Sequence, residues 1–225
     1  YGTDIRGEIY KKYCNGDLSK TFVNRYFSSV YSGQGESAYM SMIEELNSIS
    51  QKHISIILSA PGYQQTLADF ACTLNKDVEK EYWEDVNILS CPEGKYGNII
   101  WKLCSVKRYT DILHIIRIKN DENTISVDIK IRVLYEMVTN GAWDILRSHM
   151  YEISDILKTI SLPKDNTPKS LLLQMEFLIY DNLRHYMNAH EIHLIQEINK
   201  EPSLLMKIYA LVFKADDGFE EECSQ

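Results

Sequence analysis

Three histidines near the C-terminal end, His185, His190 and His193, stand with Glu191 as the cluster that looks most like a metal site. A zinc-protease helix carries H-E-x-x-H, because a spacing of four puts both imidazoles on one helical face. The order here is His190-Glu191-Ile192-His193, so these two histidines are three residues apart and sit at a helix start, with His185 across the preceding turn. That spacing favours solvated or helix-capping histidines. A helical enzyme or metal-binding protein built on His185, His190 and His193 is the alternative.

Nucleophilic chemistry needs a thiol or hydroxyl paired with a base. The five cysteines, Cys14, Cys72, Cys91, Cys104 and Cys223, are odd in number and scattered, with no C-x-x-C pair. They read as reduced thiols of a cytoplasmic protein. Cys72 follows Phe70-Ala71 and Cys104 follows Leu103, so both are expected as small core residues. No G-x-S-x-G elbow occurs, and Gly33-Gln34-Gly35 lacks the third glycine and the preceding strand of a phosphate loop. The carboxylates of Glu44-Glu45, and of Glu81, Glu84 and Asp85 around Trp83, read as wet helix faces. The sequence therefore assigns no catalytic, cofactor or metal residue.

The cations Lys102, Lys107, Arg108, Arg117 and Lys119 fall on or beside one predicted helix, as a modest positive patch for an anion or nucleic acid. Over all 225 residues, 24 Lys and Arg face 32 Asp and Glu, a formal charge of −8. That balance argues against sequence-independent phosphate binding, which needs clustered cations. The 15 Tyr, 6 Phe and 3 Trp lie largely on apolar stripes, where they serve first as core and second as interface anchors.

The elements that must carry these groups are helices throughout. Ile5, Ile9 and Tyr13 form one stripe, and Asp17 is expected to cap a helix over Leu18–Tyr31, closed by a loop at Ser32–Gly35. Tyr39, Met42, Ile43, Leu46 and Ile49 repeat over Glu36–His53; the β-branched run Ile54–Leu58 suits a strand or a helix. Asn75 is expected to cap a helix through Val78, Tyr82 and Trp83, and Cys91-Pro92-Glu93-Gly94 breaks the pattern. Further helices are expected over Tyr96–Val106, Arg108–Lys119, Ile125–Thr139, Tyr151–Ile160, Lys169–Tyr186, Glu191–Asn199 and Pro202–Lys214. No apolar run approaches the ~20 residues that span a bilayer. The expectation is an all-α array of short amphipathic helices, α-solenoid-like in the manner of TPR or HEAT stacks but irregular, since no repeat of about 34 or 40 residues aligns. Residues 1–162 form the array, 163–168 a linker or turn, and 169–225 a C-terminal helical segment with an acidic tail, packed on the first part. The chain opens at Tyr1, as a piece of a longer protein would.

Three stretches resemble the C-terminal helical region of very large multidomain bacterial proteins of anti-phage and conflict systems. Asp77–Val86 is similar to a "YWxxV" helix, and Val106–Leu113 to the basic turn and apolar helix that follow it. Gln174-Met175-Glu176-Phe177-Leu178, then Ile198–Leu205 and Tyr209–Lys214, resemble a closing "LEF" helix and a proline-led apolar helix. Met175 and Leu205 depart from the pattern, where the family has leucine and phenylalanine. The likeness runs over Gln64–Asp217, about two thirds of the chain. It implies a scaffold or sensor arm beside a nucleotide-binding (STAND/NACHT-like) or effector region. It supplies no catalytic residue, and it points to a protein partner or other domains of the parent chain. Tyr82 and Trp83 are the expected exposed anchors, with Lys107 and Arg108 beside them.

Overall fold

The computed structural model describes residues 5–88, 96–119, 124–183 and 192–213. Within them lie fourteen α-helices, one 3-10 turn and no strand, packed mostly between neighbours in sequence as an irregular helical array. Two compact units emerge: Tyr1–Lys95 with Ser105–Arg108, and Tyr96–Cys104 with Tyr109–Gln225. The residues on both sides of Pro163 thus belong to one unit, and Asn166–Pro168 form the first turn of a helix. Proline is tolerated there because its missing N–H has no intrahelical partner.

In the first unit, α1 spans Ile5–Cys14, α2 Lys20–Gln34 and α3 Glu36–Ile49; a 3-10 turn over Gln51–His53 leads into α4, Ser55–Ser59, followed by α5, Gln65–Thr73, and α6, Lys76–Asp85. Every residue of α4 is buried, and it packs against α2, α5 and α6. A helix buried on all sides is a core element, which resolves the strand-or-helix ambiguity of Ile54–Leu58: its neighbours are helices, with no ladder to join among the described residues. Its polar atoms are met from outside. The buried Tyr39 hydroxyl donates to the Ile57 carbonyl at 2.8 Å, and the Ser55 hydroxyl donates to the Glu81 carboxylate at 2.7 Å.

Several local expectations are corrected in this unit. Ser19, not Asp17, caps α2, its hydroxyl accepting from the Phe22 amide. The helix runs through Ser32 and Gly33 to Gln34, and the break falls to Gly35 alone, whose φ of +76° only glycine adopts freely. In α1 the buried residues are Gly7 and Tyr10, whose hydroxyl donates to the Ser50 carbonyl, while Ile5 faces solvent. The Asn75 side chain accepts from the amides of Asp77 and Val78, as its position before α6 predicts.

In the second unit, α7 spans Tyr96–Ser105, most of it here, and α8 covers Tyr109–Ile118, α9 Val127–Thr139, α10 Trp143–Ser148 and α11 Met150–Thr159. Then come α12, Asn166–Leu183, α13, His193–Lys200, and α14, Ser203–Phe213. The long α12 is the spine: α9 packs along it, as do α13 and α14. Leu173, Ile192, Leu194 and Ile208 form a small core that joins α12 to α13 and α14. Lys130 on α9 and Glu176 on α12 are both fully buried.

Candidate functional site

Tyr82 and Trp83 are not the exposed anchors that their types suggest. Tyr82 is fully buried and Trp83 is 4% exposed, in a cluster where their rings meet edge-on at 5.2 Å and Tyr63 lies 6.3 Å from Trp83. Burial pushes the Tyr82 phenol well above its ordinary range. Among the described residues the Tyr82 hydroxyl and Trp83 Nε1 find no hydrogen-bond partner, a cost of about 1–3 kcal/mol each. Burying two such rings returns roughly 4–6 kcal/mol apiece, so apolar area wins and both side chains stay inside.

Arg108 is likewise committed to the fold. Its Nη1 donates to the Trp83 carbonyl at 3.0 Å and to the Val86 carbonyl at 2.7 Å. Those carbonyls belong to the last turn and cap of α6, where a cation also meets the negative end of the helix dipole. Lys107 is exposed, with φ +59°, the left-handed residue that follows α7. Of the remaining basic candidates, Arg117 faces Glu152 at 3.9 Å, and the Lys119 ammonium stands 5.7 Å from the centre of the Tyr96 ring.

The thiols divide. Cys104 is buried, and burial pushes its pKa up to about 11, which leaves little thiolate near neutral pH. Cys72 is exposed, against the expectation of a core position, and its Sγ donates to Glu79 at 3.3 Å. It lies on the outer face of α5, where Leu67, Ala68 and Ala71 are the inward residues. The acidic face of α6 is engaged with cations and hydroxyls: Asp85 meets Lys20 at 2.6 Å, Glu84 meets Lys80 at 3.7 Å and Glu81 holds Ser55. Gln51, Lys52, Asn75, Lys80, Glu81 and Glu84 line a cleft of about 560 Å³.

His185 and His190 lie outside the described residues, and His193 has a structural role. The Glu176 carboxylate, rising from α12, accepts hydrogen bonds from His193 Nδ1 at 2.7 Å and from the Leu194 amide at 2.7 Å. One buried side chain thereby caps the N-terminal end of a neighbouring helix whose own cap position is Ile192. The hydrogen bond to Glu176 raises the His193 pKa above its ordinary value, against the opposing effect of burial. Farther along α13, Glu197 binds both Lys169 of α12 and Lys200, at 2.6 Å for the latter, and its pKa is held below the usual carboxylate range. This interhelix constellation was hidden in the sequence, but it has a signature. Glu176 shares the stripe of Leu172, Ile179 and Leu183, three and four residues apart, where a charge must find a partner. Among the described residues no group of three or more His, Cys, Asp and Glu could hold a metal ion.

The apolar surface left exposed is concentrated on α14. Leu205 is 41% exposed, Met206 70% and Tyr209 50%, within an arc of about 100° on the helix surface, and Leu211, 54% exposed, lies outside that arc. Ile208 points the other way, into the core shared with α12 and α13. The Tyr209 ring meets Phe177 of α12 edge-on at 6.3 Å, which anchors one side of the arc. Among the described residues no helix is long and apolar enough to cross a membrane. Comparison with known protein families, characterised proteins and solved structures finds no match for this chain.

Proposed function

We propose that this chain is a helical scaffold or sensor module that binds a protein partner, the role implied by its resemblance to the helical arms of large bacterial defence proteins. The observation that carries the binding role is the arc of Leu205, Met206 and Tyr209 on α14. A large apolar stripe on a surface helix is the form in which a module receives a partner's amphipathic helix, with i, i+1 and i+4 side chains as anchors. The fate of the chemically capable groups supports binding over catalysis. His193, Glu197 and Arg108 each hold one element to another, and Cys104 is a buried thiol with a raised pKa.

The test is comparative capture with immobilised protein, using the parent chain and a Met206→Asp/Tyr209→Asp double variant of equal helicity and melting temperature. The expected result is one stoichiometric protein held by the parent and reduced at least about tenfold on the variant, since each anchor contributes on the order of 1–2 kcal/mol. Equal retention of that protein by both would overturn the assignment of the arc.

A further inference from the structure

We propose that α13 is a proton-controlled latch: with His193 protonated its N-terminal end is held on α12, and with His193 neutral that end loosens while the attachment at Glu197 stays fixed. The argument starts from Glu176, a carboxylate with no exposed surface. A buried charge without a counter-charge is costly, whatever neutral hydrogen bonds it accepts. Among the described residues Glu176 accepts from two donors, the Leu194 amide and His193 Nδ1, and of these two only the imidazolium brings a positive charge. The ring also interacts with the Ile160 backbone at the C-terminal cap of α11, so it is faced from two sides and is mostly buried.

Among the described residues, the charged groups on the elements around it include Lys130 of α9, which packs along α12, fully buried. From α12 come Glu176 and Lys169; from α13 itself come Glu197 and Lys200, with Lys169 and Lys200 both bound to Glu197. On α14, Lys207 is engaged by Glu201 at 2.6 Å. The Lys169–Glu197 attachment joins a lysine to a carboxylate whose pKa is lowered, so it persists across the range in which a histidine titrates. The first residue of α13 therefore has a proton-dependent tie, and Glu197, one turn farther on, a permanent one. The helix between them carries Leu194 of the core that seats α14. The sign follows from the raised His193 pKa. Stabilisation is complete below the unfolded histidine value, about 6.5, and is lost as pH rises through the folded value.

Amide hydrogen exchange on the whole chain tests this, with protection factors corrected for intrinsic rates at about pH 6 and about pH 8.5. The expected result is a selective fall in protection at the first amides of α13 at the higher pH. The fall should be tenfold for each pH unit by which the folded His193 pKa exceeds the unfolded one. His193→Gln, which donates a neutral hydrogen bond at either pH, should abolish the difference, and Glu197→Gln should keep it. A parent protein with pH-independent α13 protection, or a His193→Gln variant with an undiminished fall, would overturn the proposal. Should His193→Gln fail to fold, an NMR titration of the parent decides. A His193 midpoint above about 6.5 supports the latch and one at or below it refutes it.

Discussion

Arg108 separates a binding cation from a structural one, and replacing it with methionine keeps its apolar stem while deleting the charge. Its Nη1 serves the carbonyls of Trp83 and Val86, at 3.0 and 2.7 Å. Hydrogen bonds from a charged donor contribute about 1.5–3 kcal/mol each, so the two sum to roughly 3–6 kcal/mol. Arg108 is partly exposed, and water reaching the vacated carbonyls returns about half of that, which leaves a loss of about 1.5–3 kcal/mol. With a urea slope of about 2 kcal/mol per molar, the unfolding midpoint of Arg108→Met should fall by about 0.75–1.5 M. Tryptophan fluorescence is the assay, because Trp83 sits in the core that α6 closes. The neighbouring exposed cation supplies the control: Lys107→Met keeps the same backbone and should change stability by less than about 0.5 kcal/mol. An Arg108→Met variant within about 0.5 kcal/mol of the parent would refute the clamp and return Arg108 to the surface patch that its sequence context suggests.

Two further substitutions test the packing. Trp83→Ala should cost about 3–5 kcal/mol, read by chemical denaturation, because it empties a site 4% exposed between Tyr82 and Tyr63; a cost under about 1 kcal/mol would mean the ring is a surface anchor after all. Asn75→Ala should cost about 1 kcal/mol by removing the acceptor of the Asp77 and Val78 amides, and Asn75→Ser should restore most of it.

The helical class, the approximate helix positions and caps such as Asn75 follow from local rules: the 3.6-residue period of apolar side chains, and short polar side chains that satisfy the first free amides of a helix. Those rules act within a few residues, so one sequence suffices to apply them. They weaken where two local solutions compete. Asp17 and Ser19 both suit the start of α2, and it is the Ser19 hydroxyl that accepts from the Phe22 amide. The β-branched run Ile54–Leu58 becomes a helix because α2, α5 and α6 surround it.

Which face of a helix is inward, and which side chain meets which, was decided by tertiary structure alone. Periodicity identifies a stripe but not its neighbour, so Tyr82 and Trp83 could be read as anchors until α5 and the segment at Tyr63 covered them. In the same way Arg108 is a surface cation in sequence and a carbonyl clamp in space, 25 and 22 residues from its two partners. Glu176 and His193, 17 residues apart, become a buried ion pair only when α13 folds back on α12. Burial turns a charge from a soluble ornament into a requirement for a partner, and burial is a property of the packed array rather than of any local stretch of chain.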